Sequence, residues 1–497
     1  MIQSLVRSCA RRMAPVAVGV MTLAGTVVAG GQPAAQAVVF HPVWNDIEFV
    51  STGPTPPTQA ACNALPFGGR RCFNPTAEQD SYNLTPLLTA NHQGQGQTII
   101  IVDAFGSETM RHDLKVFNNA FGLPHMCGEE GTAAGCTGPT FDEFQQGNTS
   151  TNPQPCSNCT GQENRAAWAI EVALDVEWAH SMAPMANILL VTTPTAETLG
   201  VQGFPDFFKA EQAVIDAHRG SVISQSFASA EQAFNSGAAA LQNLRFAFKD
   251  AQANHVTVFG SSGDSGTANI IKTPVKNPTL VPFPTVEWPA SDPLVTGVGG
   301  TYECTNADTG LTIDSVSPPA ACRNHPGVRE VGWIGSGGGF SAVFARPSFQ
   351  DALPAGSTAI DGSTRGVPDI ALQASSRTGV LIYITNPGYS TNVHDTGWYV
   401  IGGTSSSSPQ WAGLIAVANE MNGGKQLGYI NPALYAIASN PTTYAADFYD
   451  VTTGNNAQPG TGIAGFPATT GWDPVTGLGT PNAANLLPDL IAYVNSH

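Results

Sequence analysis

The chain switches repeatedly between two spacings of apolar residues. "GQTIIIVDAFG" (96–106) is a continuous apolar run closed by a turn, which predicts a buried parallel strand. "SETMRHDLKVFNNAFGLP" follows with the spacing of an amphipathic helix. "ENRAAWAIEVALDVEWAHSMAP" (163–184) predicts a strong helix stopped by Pro184. Then come a strand ("ANILLVTT"), a helix ("FFKAEQAVIDAH"), a strand ("SVISQSF"), a helix ("NLRFAFKDAQANH"), a strand with its loop ("VTVFGSSGDSG") and another strand ("LVTGVGGT"). This alternation predicts an α/β fold, a mainly parallel sheet with helices on both faces. Residues 38–70, rich in proline and polar residues, read as an irregular arm, and 126–164 as a Cys-, Gly- and Asn-rich insertion. The C-terminal third adds strands and loops before the helix that follows Ser405. Ligands of such sheets bind beyond the C-terminal strand ends. "IIIVDAFG", "VISQSF", "FGSSGDSG" and "GGTS" all fall along that one rim.

Composition narrows the functional classes. Charged residues make up 11% of the 497 positions, against 53 glycines and 37 prolines, and 42% are hydrophobic. That describes a loop-rich globular protein rather than a disordered one. A net charge of −17 leaves no basic footprint, so nucleic acid is not an expected partner. Arg7, Arg11 and Arg12 precede an apolar stretch (14–30) and an "AQA" site (35–37), the pattern of a signal peptide cleaved after Ala37. Export without lasting membrane association follows as an expectation. The eight cysteines beyond Cys9 read as disulfides, with proximity suggesting 62–72, 127–136, 156–159 and 304–322. A zinc site at "CSNC" (156–159) lacks a second ligand pair.

Three segments carry candidate chemistry. Glu171 and Asp175 stand four apart on a predicted helix and so share a face. An E-x-x-x-D pair usually marks a solvated face, but the 166–179 stretch is almost wholly apolar. Two carboxyls there should hold a shared proton. Asp264 lies in the glycine-flanked turn "SSGDSG", a common place for a turn aspartate. In "GGTSSSSPQWAGL" (402–414), Ser405 is placed just ahead of a helix with Pro409 in its first turn. A serine there needs a base. None of the ten histidines sits in a suitable turn; His112 and His180 fall in helical patterns.

The segments "GTSSSSP", "SSGDSG", "EVALD" and "WPASDPLVTGVGGT" together resemble the sedolisins, serine-carboxyl peptidases of subtilisin-like, three-layer fold. "CFNPTAEQDSYNL", "GSGGGFSAVFARPSFQ", "RGVPDIAL", "FYDVTTGNN" and "GWDPVTGLGTPN" extend the resemblance from residue 72 to the end, in the family's order. It implies Ser405 as nucleophile, Glu171 as general base, Asp175 as its proton-sharing partner, and Asp264 at the oxyanion hole with the Ser405 N–H. It also implies one Ca2+ in a C-terminal calcium-binding region, held by Asp450, Asp473 and the carbonyls of Val451, Thr469 and Gly471. A carboxylate base stays partly ionised in acid, where histidine is protonated. The expectation is therefore an exported serine-type endopeptidase acting on proteins or peptides at acidic pH, as a monomer, with its domain over 72–497. Residues 38–71 are too few for a folded prosegment. Ala228 stands where the family commonly has glycine, in a segment resembling a substrate-binding strand, and Thr469 also replaces a glycine. Two rivals stand beside this reading. One is a Ser-His-Asp subtilase using Asp103 at the end of the first strand. The other is a catalytically silent exported binding protein on the same scaffold.

Overall fold

The computed structural model describes residues 47–66, 69–146, 160–196, 203–234, 237–272, 279–316, 318–360, 362–388 and 395–497. The expected signal peptide (1–37) and the Cys156–Cys159 pair lie outside them.

The chain opens with β1 (Glu48–Thr52) and β2 (Arg71–Phe73). Next come β3 (Thr98–Ala104), α1 (Met110–Phe121), β4 (Phe141–Gln145), α2 (Thr160–Met182), β5 (Asn187–Thr193) and α3 (Phe204–Asp216). They are followed by β6 (Val222–Gln225), α4 (Ala238–Leu244), α5 (Phe246–Ala253), β7 (Thr257–Ser261), β8 (Thr296–Glu303) and β9 (Glu330–Gly332). The last to matter here are β10 (Ile370–Gln373), β11 (Thr378–Ile384), β12 (Gly397–Ile401) and α6 (Thr404–Met421). The central sheet has eight strands in the order β9-β8-β7-β6-β3-β5-β4, with β10 also paired to β8. Seven run parallel, and β9 alone runs antiparallel to its neighbour.

The period-2 geometry of β3 explains the layers. Ile99 and Ile101 face one core, with α2 and α6. Ile100 and Val102 face the other, with Phe204, Phe207 and Phe208 of α3 and Phe248 of α5. Burying each such side chain contributes ~1.5–3 kcal/mol, and only a strand buried on both faces can carry an unbroken apolar run. Helix α2 is buried on every side from Ala166 to Met182, which is why its sequence shows no polar stripe.

Three expectations change. The arm is not wholly irregular: β1 pairs antiparallel with β12, which joins β11 and β2 in a second, four-stranded sheet. The insertion supplies β4, the edge strand beside β5, although its alternation is only five residues long. The helix expected over 243–255 is two, separated at Arg245, whose guanidinium turns to Asp292. Disulfides join Cys62 to Cys72, Cys127 to Cys136 and Cys304 to Cys322, the pairs nearest in sequence. Among the described residues no helix is long and apolar enough to cross a membrane.

Candidate active site

The four serines of the run separate by what their hydroxyls do. Ser406 donates to Gln373 Oε1 at 3.0 Å and Ser407 to the Gln373 carbonyl at 2.9 Å. Ser408 shares a 2.8 Å hydrogen bond with Ser224. These three stitch α6 to β10 and β6. Ser405 keeps its hydroxyl free of such ties and near the Glu171 carboxyl, whose charged form it favours. The helix begins two residues earlier than expected, at Thr404, with Gly403 as its cap. Ser405 thus lies inside the first turn, where its N–H has no intrahelical partner. Pro409 sits in the second turn instead of the first; it lacks the N–H that would bond the Ser405 carbonyl. Gln410 stabilises this weakened turn by donating to the Ser406 carbonyl at 3.0 Å.

Glu171 and Asp175 come from α2 and are both wholly buried. Asp103, at the C-terminal end of β3, joins them and is equally buried. Burial raises all three carboxyls well above the ordinary range. After burial, the charge of Asp103 is the strongest influence raising both Glu171 and Asp175. Three carboxyls so placed cannot all ionise, so they share protons as a set. Neither Glu171 nor Asp103 has a partner in hydrogen-bond geometry; Asp175 accepts from Ser226 Oγ at 3.0 Å through Oδ1.

Asp264 follows β7. Its Oδ1 accepts the Thr404 N–H at 2.7 Å and the Thr404 hydroxyl at 2.9 Å. Its Oδ2 is buried without a partner. That oxygen lies over Gly403: a Cβ at Gly403 would stand 2.7 Å from it and 3.6 Å from the Ser405 nitrogen. Burial lifts the Asp264 pKa to about 7, against the pull of the two Thr404 donors. A proton on the free Oδ2 then gives two donors at one place, the Asp264 O–H and the Ser405 N–H. Glu287 is a further, half-buried carboxyl beside this turn, raised to about 8 by loss of hydration and then by the Asp264 charge.

The structure brings together Ser405, Glu171, Asp175 and Asp264. Sequence reading gave Asp103 only as the aspartate of a rival subtilase, and missed Gly403, Thr404 and Ser226. The rim of strand ends was the signal for Asp103 and Ser226. His112 pairs with Glu130, and the buried His180 ring donates to the Pro124 carbonyl at 3.0 Å.

The residues expected to hold calcium also converge. Asp450 accepts the Gly471 N–H at 3.0 Å, and Asp473 accepts the Thr469, Val475 and Thr476 N–H groups at 2.8–2.9 Å. The carbonyls of Val451, Thr469 and Gly471 accept no hydrogen bond among the described residues. Three unpaired carbonyls beside two carboxylates fit a hard, oxygen-seeking cation, although Asp473 already has an Asx-turn role.

No protein-family model matches the chain. Kumamolisin from Bacillus sp. (strain MN-32) is 33% identical over 326 residues, covering 65% of this chain and 50% of that protein. Tripeptidyl-peptidase 1 from Homo sapiens is 30% identical over 347 residues, covering 67% and 53%. The chain therefore spans about half the length of the curated relatives it matches. The solved structure of Pseudomonas sedolisin (serine-carboxyl proteinase), complexed with two molecules of pseudo-iodotyrostatin, matches with a TM-score of 0.60 at 25% identity. That match covers 86% of this chain and 100% of the other. With its seven parallel strands, a carboxyl set facing one uncommitted serine, and these relatives, the chain belongs to the sedolisin family.

Proposed function

We propose that this protein is an exported serine-carboxyl endopeptidase that hydrolyses peptide bonds of proteins in acid. The observation that carries the reading is Asp264 Oδ2, buried and unpaired beside the Ser405 N–H, while the Ser405 hydroxyl lies by Glu171. Ser405 Oγ attacks the scissile carbonyl carbon, and Glu171 takes its proton. The oxyanion accepts hydrogen bonds from Asp264 Oδ2–H and the Ser405 N–H. Collapse breaks the C–N bond as Glu171 returns the proton to the leaving amine, leaving an ester on Ser405. Water, deprotonated by Glu171, hydrolyses that ester. Asp175 and Asp103 hold the protons that let Glu171 alternate between its two forms. Asp264 donates only while protonated, so this step weakens as pH rises through about 7.

One Ca2+ held by Asp450, Asp473 and the carbonyls of Val451, Thr469 and Gly471 belongs to the same proposal, as a clamp on the C-terminal loop. The test is cleavage of denatured protein from pH 2 to 8 by wild type, Ser405→Ala, Glu171→Ala and Asp264→Ala. The proposal expects acid activity that is lost or sharply reduced in all three variants. Full activity in Glu171→Ala would remove the base. Inactive, folded, calcium-loaded wild type would favour a silent binding protein.

A further inference from the structure

The carboxyl set presents six oxygens, two each from Asp103, Glu171 and Asp175. Five lack a partner in hydrogen-bond geometry. The sixth, Asp175 Oδ1, accepts from the Ser226 hydroxyl at 3.0 Å. Ser226 follows Gln225 at the C-terminal end of β6 and is 2% exposed, so no water competes for its proton. The same hydroxyl lies near enough to Glu171 to favour that group's ionised form as well. Among the described residues it is the one donor in hydrogen-bond geometry to any of the six oxygens.

We propose that Ser226 is a positioning residue that fixes where the proton of the carboxyl set resides. This rests on the function proposed above. A hydroxyl has one proton to donate. Given to Oδ1 of Asp175, it occupies that oxygen and leaves Oδ2 to carry the proton of the neutral form. Without Ser226 the two oxygens are equivalent, the Asp175 carboxyl loses its fixed orientation, and the proton spends part of its time where it cannot serve Glu171. The groups that face this proton are Asp103 from β3, Glu171 from α2 and Ser405 from α6, with Asp264 acting on it through Glu171. None is a cation, so the counterweight to their mutual repulsion comes from neutral donors: Ser226 on Asp175 and the Ser405 hydroxyl beside Glu171.

The test uses the whole chain with Ser226→Ala, Ser226→Cys and Ser226→Thr. Ala removes the donor, Cys keeps the volume with a weak donor, and Thr keeps the hydroxyl. Kinetics are normalised to the folded fraction by near-UV circular dichroism. We expect kcat to fall about tenfold or more in Ala and Cys, the worth of one hydrogen bond to a charged group, with KM within about twofold. The acid limb of kcat/KM should move up by about one pH unit, because loss of a donor raises the pKa of the set. Thr should restore both. Unchanged kcat and an unmoved limb in Ser226→Ala would overturn the proposal. So would a loss confined to melting temperature, which is all that a packing role predicts. Glu171→Ala, run alongside, separates the two ideas: full activity there sinks the proposed function, whereas its inactivity with a normal Ser226→Ala sinks only the role of Ser226.

Discussion

Gly403→Ala should disable the oxyanion site while leaving Ser405 and the carboxyl set in place. The new Cβ would stand 2.7 Å from Asp264 Oδ2, closer than side-chain carbons approach an oxygen. Asp264 cannot swing aside cheaply, because its other oxygen is held by two Thr404 donors at 2.7 and 2.9 Å. The backbone resists too: Gly403 has φ +136° and ψ 160°, a region for glycine alone, where a side chain costs ~1–3 kcal/mol. Loss of one oxyanion donor lowers kcat by about 10²–10³, equivalent to about 2.7–4 kcal/mol of transition-state stabilisation. The expected result is a kcat reduced about a hundredfold, KM little changed and melting a few degrees lower. Gly388→Ala is the control, with φ +67° and nothing within 4 Å of its Cβ: it carries backbone strain without the clash and should keep full kcat. The assay is steady-state hydrolysis of a fluorogenic peptide at pH 4, with thermal melts on the same samples. Wild-type kcat in folded Gly403→Ala would refute the placement of Asp264 in the reaction.

Three predictions concern stability. Glu78, Glu303 and Glu330 form a buried carboxyl cluster around Tyr82, with Glu303 raised to about 7 by burial and then by Glu330. A raised carboxyl stabilises the fold below its unfolded pKa and loses that contribution as pH rises through the folded value. Melting temperature should therefore fall from pH 4.5 to 7, and Glu303→Gln should flatten that slope; an unchanged slope would count against it. His180 works in the opposite direction, its pKa lowered to about 4 by burial. The fold then loses about 3 kcal/mol as pH drops from 6.5 to 4, and His180→Gln should melt less steeply over that window. Chelation should lower the melting temperature of wild type by several degrees and leave Asp450→Ala unaffected; an unmoved wild-type midpoint would speak against the cation.

Long-period features were legible in the sequence. The apolar runs of β3, β5 and β7 exceed what a half-buried strand allows, so both sheet faces could be inferred. Glu171 and Asp175 could be paired because helical spacing is local. Ser405 could be picked from its run by resemblance, but its physical distinction, three neighbours tied down and one free, needs β6 and β10 in place. Asp103 resisted assignment because only the sheet brings residue 103 to α2. Pro409 misled: proline favours a first turn, yet here it sits in the second, where the Gln410 side chain ties the neighbouring Ser406 carbonyl. The strands β1 and β4 escaped notice because each has only five residues and draws its order from a distant partner, β12 or β5.

The most direct test of the central claim is the pH dependence of kcat/KM for the wild-type protein from pH 2 to 9. Carboxyl chemistry at Ser405 predicts a maximum in acid and a descending limb near pH 7, where Asp264 loses its proton. A maximum at neutral or alkaline pH, rising through the range where histidine deprotonates, would contradict it.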